Sequence, residues 1–263
     1  MKIEFFKFHG NGNDFVLIDN LTKSVMLTAG QIAGICHRQF GVGADGLIEI
    51  NPSSEVDFAM KYYNADGLEG TMCGNGGRCA AAFAYFKGYA SEKMRFEAVD
   101  GFHQAEIERV TEVGSAWYVA LQLNDVTEIK PVDMGFYLDT GSPHIVVFAD
   151  GVKQLNVYEE GKKIRESDAF SPNGVNVNFV EVVQETLFVR TFERGVEDET
   201  LSCGTGVTAA AIAAGHVFEK NEWQVKTPGG DFLIHFKRQE SAVREVWLHG
   251  PAVLVFGGSL TIN

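Results

Sequence analysis

Positive charge is scarce in this chain, and so are cysteines and long apolar runs. Lys and Arg number 22 against 35 Asp and Glu, a net charge of −13. With no basic stripe among them, the sequence gives no footing to a phosphate backbone, and nucleic acid is not an expected partner. No stretch approaches the ~18 apolar residues that a membrane span requires. The opening Met1-Lys2-Ile3-Glu4-Phe5-Phe6 lacks an apolar core followed by a cleavage site, so a cytoplasmic, membrane-free protein is expected. The cysteines, at 36, 73, 79 and 203, form no C-x-x-C pair. That excludes the spacing of a zinc knuckle or a thioredoxin-type motif and makes reduced thiols the default. Low-complexity runs, a Walker loop and an identifiable pyridoxal-binding signature are also missing, so no metal and no cofactor is expected.

What remains is enough for a folded protein. Hydrophobic residues make up 45% of 263 and charged residues 22%, which allows a buried core in one large domain or two of roughly half the length. Two cysteines then point to two. Cys73 lies in Met72-Cys73-Gly74-Asn75-Gly76 and Cys203 in Ser202-Cys203-Gly204-Thr205-Gly206, each before an alanine-rich stretch, and 203 − 73 = 130 is almost half the length. The same offset relates Gly10-Asn11-Gly12-Asn13-Asp14 to Thr140-Gly141-Ser142-Pro143-His144, Phe40 to Phe170 and Phe102 to Phe232. Four segments in one register indicate an internal duplication.

The coarse pattern is strand-rich, as in Phe58–Tyr63, Trp117–Leu123 and Leu187–Phe192. Helices are expected at Ala29–Cys36, from Gly76 to about Phe86 and from Gly206 to about Phe218, the last two apolar nearly all round and hence buried. The expected fold is α+β, with two pseudo-symmetric halves, each a curved, mostly antiparallel sheet or barrel around a central helix. The halves are placed at 1–116 with Cys73 and 117–249 with Cys203, the last strand, about 250–263, rejoining the first half.

Each of these two thiols precedes a helix start. The unsatisfied N–H groups and partial positive charge there lower a cysteine pKa and cradle an anion such as a carboxylate. Glycines beside them let backbone approach a ligand closely. Two thiols in matching frames suit a reaction that moves a proton from one face of a carbon to the other. Cys36 and Cys79 lack such surroundings and read as core residues. Asn64 lies nine residues before Cys73 and Arg194 nine before Cys203. Both follow a strand end; the asparagine amide can bind an amine or a carboxylate and the arginine a carboxylate, or the two merely serve a turn and a surface ion pair.

Together these residues resemble the diaminopimelate epimerase family over the length of the chain. The resemblance is carried by Phe6-Lys7-Phe8-His9-Gly10-Asn11-Gly12-Asn13-Asp14-Phe15, by Asn64-Ala65-Asp66-Gly67 through Cys73-Gly74-Asn75-Gly76-Gly77-Arg78-Cys79, and by Glu193-Arg194-Gly195 through Cys203-Gly204-Thr205-Gly206. It implies the family's paired barrel-like halves and a cofactor-independent interconversion of LL- and meso-diaminopimelate, in lysine and cell-wall precursor biosynthesis. It implies Cys73 and Cys203 as the two acid/base residues. Asn11, Asn64, Gly74, Asn75, Asn176, Glu193, Arg194, Gly204 and Thr205 would bind the substrate, His144 and Glu193 would tune the thiols, and the chain would form a homodimer. Four positions depart from the common pattern: Gly46 stands where many members have Gln, Ser142 where many have Asn, Met72 where an acid is frequent and Leu68 where serine is. A proline or hydroxyproline racemase-like isomerase is the nearest alternative, and an inert amino-acid-binding module a more distant one.

Overall fold

Apolar side chains on both faces of the first strand decide how the first unit is layered. In the computed structural model, which describes residues 2–111, 115–239 and 242–262, strand β1 (Lys2–Gly10) turns Ile3 and Phe5 one way and Phe6 and Phe8 the other. Ile3 and Phe5 join Ile32, Ile35 and Cys36 of helix α1 (Ala29–Cys36) in one core cluster. Phe6 and Phe8 meet the ring of Phe83 in helix α2 (Gly74–Phe86), with centroids 5.2 and 6.1 Å apart. One strand therefore serves two cores.

Around α2 run β1, β2 (Asn13–Asp19), β3 (Gly46–Asn51), β4 (Phe58–Asn64), β5 (Lys93–Ala98), β6 (Gly101–Val110) and β7 (Ala116–Leu123), paired in that order. The ring closes through the last strand, β16 (Ala242–Thr261), whose residues 253–261 pair antiparallel with β1 and which also borders β7. Strands β2–β3 and β4–β5 are parallel. Helix α2 is buried from Gly74 to Ala84. Its run of glycine and alanine is what lets a helix lie inside the ring: a Cβ on Gly77 would come within 2.7 Å of the Met72 methyl.

In the second unit the chain repeats this plan. It contains β8 (Lys130–Val132), β9 (Gly135–Asp139), β10 (Pro143–Phe148), helix α3 (Val157–Arg165), β11 (Asn176–Val183), β12 (Thr186–Glu193), β13 (Asp198–Thr200), helix α4 (Gly204–Phe218), β14 (Glu222–Thr227), β15 (Gly230–Gln239) and the start of β16. Strands β10–β11 and β12–β14 are parallel, as β2–β3 and β4–β5 are, and the remaining pairs antiparallel. Helix α4, buried from Gly204 to Gly215, answers to α2, and α3 answers to α1. The architecture is α+β, with two pseudo-symmetric halves.

The units divide at residues 1–121 with 250–263 and at 122–249. The outermost residues of the sequence-based halves, 1 and 263, lie outside the described residues. Helix α3 is an addition to the elements read from sequence. Asn156 caps it through Glu159 N at 3.3 Å, and Glu159, Glu160, Lys162, Lys163 and Arg165 complement its dipole. Its buried face is thin, Val157 and Gly161, and Gly161 lies so close to Phe192 that a Cβ would meet that side chain at 2.3 Å.

Candidate active site

Cys73 is the N-cap of α2, and its Sγ receives Gly76 N at 3.5 Å. The helix begins there because Gly74-Asn75-Gly76 offers nearly bare backbone behind an extended residue. Asn13, at the start of β2, turns its amide oxygen toward Cys73 Sγ at 3.6 Å and accepts Asn75 Nδ2 at 3.3 Å. Its own Nδ2 donates to Asp45 at 2.8 Å. Asp45 and Asp14 share Arg38, at 2.6 and 2.9 Å, and Asp14 also takes Lys7 at 2.6 Å. Burial alone would raise the Asp14 carboxyl, but the hydrogen bonds from Arg38 and Lys7 outweigh it and bring it down to about 2. A charged lattice thus anchors the amide that faces the thiol.

Beneath this layer lies Arg78, fully buried. It donates to Asn11 Oδ1 and Asn75 Oδ1, both at 2.9 Å, and to Gly74 O at 3.3 Å. Asn11 is itself buried, in the left-handed conformation at φ 53°. Its amide oxygen therefore belongs to the support of the α2 terminus, whereas Asn13 reaches the thiol. Asn64 ends β4 exposed, opposite Gly46 in register. A Cβ at Gly46 would stand 2.5 Å from the Tyr62 ring and 2.5 Å from Tyr63 O, so no longer side chain fits there and the Tyr62 ring occupies the space. Met72 is buried and Leu68 is 61% exposed.

In the second unit Cys203, buried, is the N-cap of α4. Thr205 Oγ1 lies 3.4 Å from its sulfur and 3.3 Å from Ser142 Oγ, and Ser142 Oγ is 3.0 Å from His144 Nε2. Asn176 Nδ2 donates to Ser142 Oγ at 3.2 Å and to Pro143 O at 3.1 Å, while its oxygen accepts Arg194 N at 2.9 Å. Asn178, two residues on along β11, contacts His144 Nδ1 at 3.0 Å. Burial, reinforced by the charge of Arg194, lowers His144 to about 3 and keeps it neutral. Glu193 accepts Thr200 Oγ1 at 3.0 Å, and Arg194 borders a cavity of about 480 Å³ lined also by Tyr137, Asp139, Pro143, Phe170 and Asn173. Gly204 opens the helix, its carbonyl accepting Thr208 Oγ1 at 2.9 Å.

Within the first unit, then, Cys73, Gly74, Asn75 and Asn11 come together at one helix end, and Asn64 ends the neighbouring β4. Within the second, Cys203, Thr205, Asn176 and His144 share one hydrogen-bonded cluster through Ser142, with Gly204 next in sequence to Cys203, Arg194 attached through its backbone and Glu193 next to it in sequence. Sequence reading passed over Asn13, Arg78 and Asn178. Arg78 had a legible signal, since an arginine inside an alanine-rich buried helix must find acceptors. Burial pushes the other two thiols up, Cys36 to about 11 and Cys79 higher still, which removes both from acid/base work near neutrality. Among the described residues, no group of three or more His, Cys, Asp and Glu is arranged to hold a metal ion, and no helix is long and apolar enough to cross a membrane.

This fold is shared with proteins of solved structure. The phenazine biosynthesis protein of the PhzF family from Bacillus anthracis superposes with a TM-score of 0.78 at 16% identity, each chain covered completely. A hydroxyproline epimerase from Agrobacterium vitis gives 0.73 at 13% identity, covering 98% of this chain and 92% of that one. Sequence comparison goes further than the fold. The family model for diaminopimelate epimerase matches residues 5–119 and 136–255. A protein of Flavobacterium psychrophilum named diaminopimelate epimerase is 43% identical over 258 residues, 97% of this chain and 98% of that one. The chain is an isomerase of the epimerase class. It belongs to the diaminopimelate epimerase family.

Proposed function

We propose that this chain interconverts LL- and meso-diaminopimelate without a cofactor, by a two-base reaction in which Cys73 and Cys203 exchange protons with one α-carbon. The observation that carries the reading is the repeated cysteine cap: in each unit one thiol sits at the mouth of a buried, glycine-led helix. The backbone N–H groups of those helix ends supply what carbanion formation needs, fixed positive dipoles for the charge that spreads onto the α-carboxylate as the proton leaves. Gly74, Asn75, Gly204 and Thr205 belong to these ends and hold the carboxylate. Asn64, Asn176, Glu193 and Arg194 hold the rest of the diamino diacid, and Asn13 joins them beside Cys73. Asn11 supports the site through Arg78. His144 and Glu193 tune the thiols, a neutral imidazole and a carboxylate having opposite effects on a nearby thiolate.

Diaminopimelate brings a second amino acid group, and the polar residues beyond the thiols are suited to it. The corresponding place in metabolism is lysine and cell-wall precursor biosynthesis, in the cytoplasm, where the four reduced cysteines are at home. The residues resembling the family extend to a homodimer, which sedimentation of the purified protein tests. The function itself is tested by following solvent deuterium into Cα of candidate amino acids. Diaminopimelate is expected to exchange and epimerise while proline and hydroxyproline do not. Exchange of the proline derivatives alone would make the chain a racemase of the other substrate class, and no exchange at all would make it a binding module.

A further inference from the structure

Beside each cysteine, groups that can only donate or only accept fix the direction of a chain of side-chain hydrogen bonds, and the two chains run in different directions. In the second unit the Asn178 amide is oriented by Ile145 O, an acceptor 3.1 Å from Nδ2, and its oxygen receives Thr191 Oγ1 at 3.0 Å. Its Nδ2 therefore donates to His144 Nδ1, and the imidazole carries its proton on Nε2, facing Ser142 Oγ at 3.0 Å. Asn176 is oriented as firmly, by Pro143 O on its nitrogen and Arg194 N on its oxygen. Ser142 Oγ thus accepts from both His144 and Asn176, and its one proton goes to Thr205 Oγ1. Thr205, having accepted, directs its own proton to Cys203 Sγ.

Cys73 has a side-chain acceptor beside it, in addition to the Gly76 N–H. Arg78 can only donate, so Asn75 presents Nδ2 to Asn13 Oδ1. Asp45, paired with Arg38, can only accept, so Asn13 keeps its oxygen toward Cys73 Sγ. Among the side chains, Cys203 Sγ faces a donor and Cys73 Sγ an acceptor.

We infer that Asn178 and Ser142 are positioning residues that polarise a hydroxyl chain onto Cys203, so that the resting enzyme holds its thiolate at Cys203 and its thiol at Cys73. The inference rests on the acid/base reading of both cysteines and gives their resting order. In the first turnover Cys203 Sγ⁻ takes the α-proton, and the C–H electron pair stays on the substrate. The Cys73 S–H bond then breaks and delivers its proton to the opposite face, leaving Cys203 as thiol and Cys73 as thiolate. Proton exchange with solvent restores the resting pair.

Iodoacetamide alkylation of the full chain at fixed neutral pH, resolved by peptide mass mapping, tests this without a substrate. Thr205→Val is isosteric and leaves access to Cys203 unchanged, but removes the donor at the end of the chain. The Cys203 rate should fall by roughly tenfold or more, with Cys73 unaffected. Thr205→Ser should restore it, and Ser142→Ala should lower it in the same direction. Nitrogen-15 spectra should show His144 protonated on Nε2. An unchanged Cys203 rate in Thr205→Val, no rescue by serine, or an Nδ1-protonated His144 would overturn the inference. None of these readouts depends on turnover, so they stand apart from loss of activity in cysteine variants, which tests the underlying reading.

Discussion

Arg78 sits inside α2 with no exposure and divides its guanidinium among Gly74 O, Asn11 and Asn75. Replacing it with methionine fills the volume but strands several buried acceptors. The expected loss is about 3 kcal/mol or more, read from the urea midpoint, and a change under 1 kcal/mol, on the order of an ordinary surface substitution, would contradict the role. His144 makes the second prediction at this scale. Its folded pKa, about 3, is below the usual 6.5, so between these values the unfolded chain binds a proton that the folded one refuses. Stability is full above 6.5 and declines as pH falls toward 3. Urea titrations at stepped pH should show the decline in the parent protein and lose most of it in His144→Gln. Matching pH profiles for the two proteins would refute the assignment. These residues also mark where sequence reading reached its limit. A cysteine before Gly-x-Gly announces a helix cap by itself, but whether Asn11 or Asn13 faces the sulfur depends on which way a hairpin turn points, and that is settled by Arg78 and Asp45 from distant segments.

Among the elements, α2 and α4 were legible because an apolar helix of alanine and glycine has no other place than a core. Both start two residues earlier than read, at Gly74 and Gly204, since the cysteine rather than the second glycine is the cap. Helix α1 announced itself by its apolar stripe, and Thr28 with Gln31 forms a capping box ahead of it. Helix α3 did not, because charged residues fill most of its length and a glycine interrupts it, leaving only a two-residue buried face. Gly161 is there for space. Alanine would favour the helix by about 1 kcal/mol, yet its Cβ would enter the Phe192 side chain at 2.3 Å. Overpacking of this kind costs about 1–3 kcal/mol, so Gly161→Ala should destabilise the protein in thermal or urea unfolding. A gain in stability would show that α3 can shift off β12 without loss.

For the whole molecule, the duplication was readable from turns and cysteines, and it holds strand by strand: the parallel pairs β2–β3 and β4–β5 recur as β10–β11 and β12–β14. Sequence already distinguished the halves at Asn64 against Arg194 and Asn75 against Thr205, but not which groups face each thiol. Asn13 with its charged lattice stands by one thiol and a Ser–Thr hydroxyl chain by the other, so a symmetric scaffold surrounds the two proposed acid/base thiols asymmetrically. That pairing is the central claim, and it requires both thiols for every turnover. The most direct measurement is epimerisation of diaminopimelate in deuterium oxide by Cys73→Ala and Cys203→Ala, each shown to be folded by circular dichroism. Each single variant should lose epimerisation by about a thousandfold or more, in line with removal of an essential acid or base. Near-parental turnover by either one would contradict the two-base account.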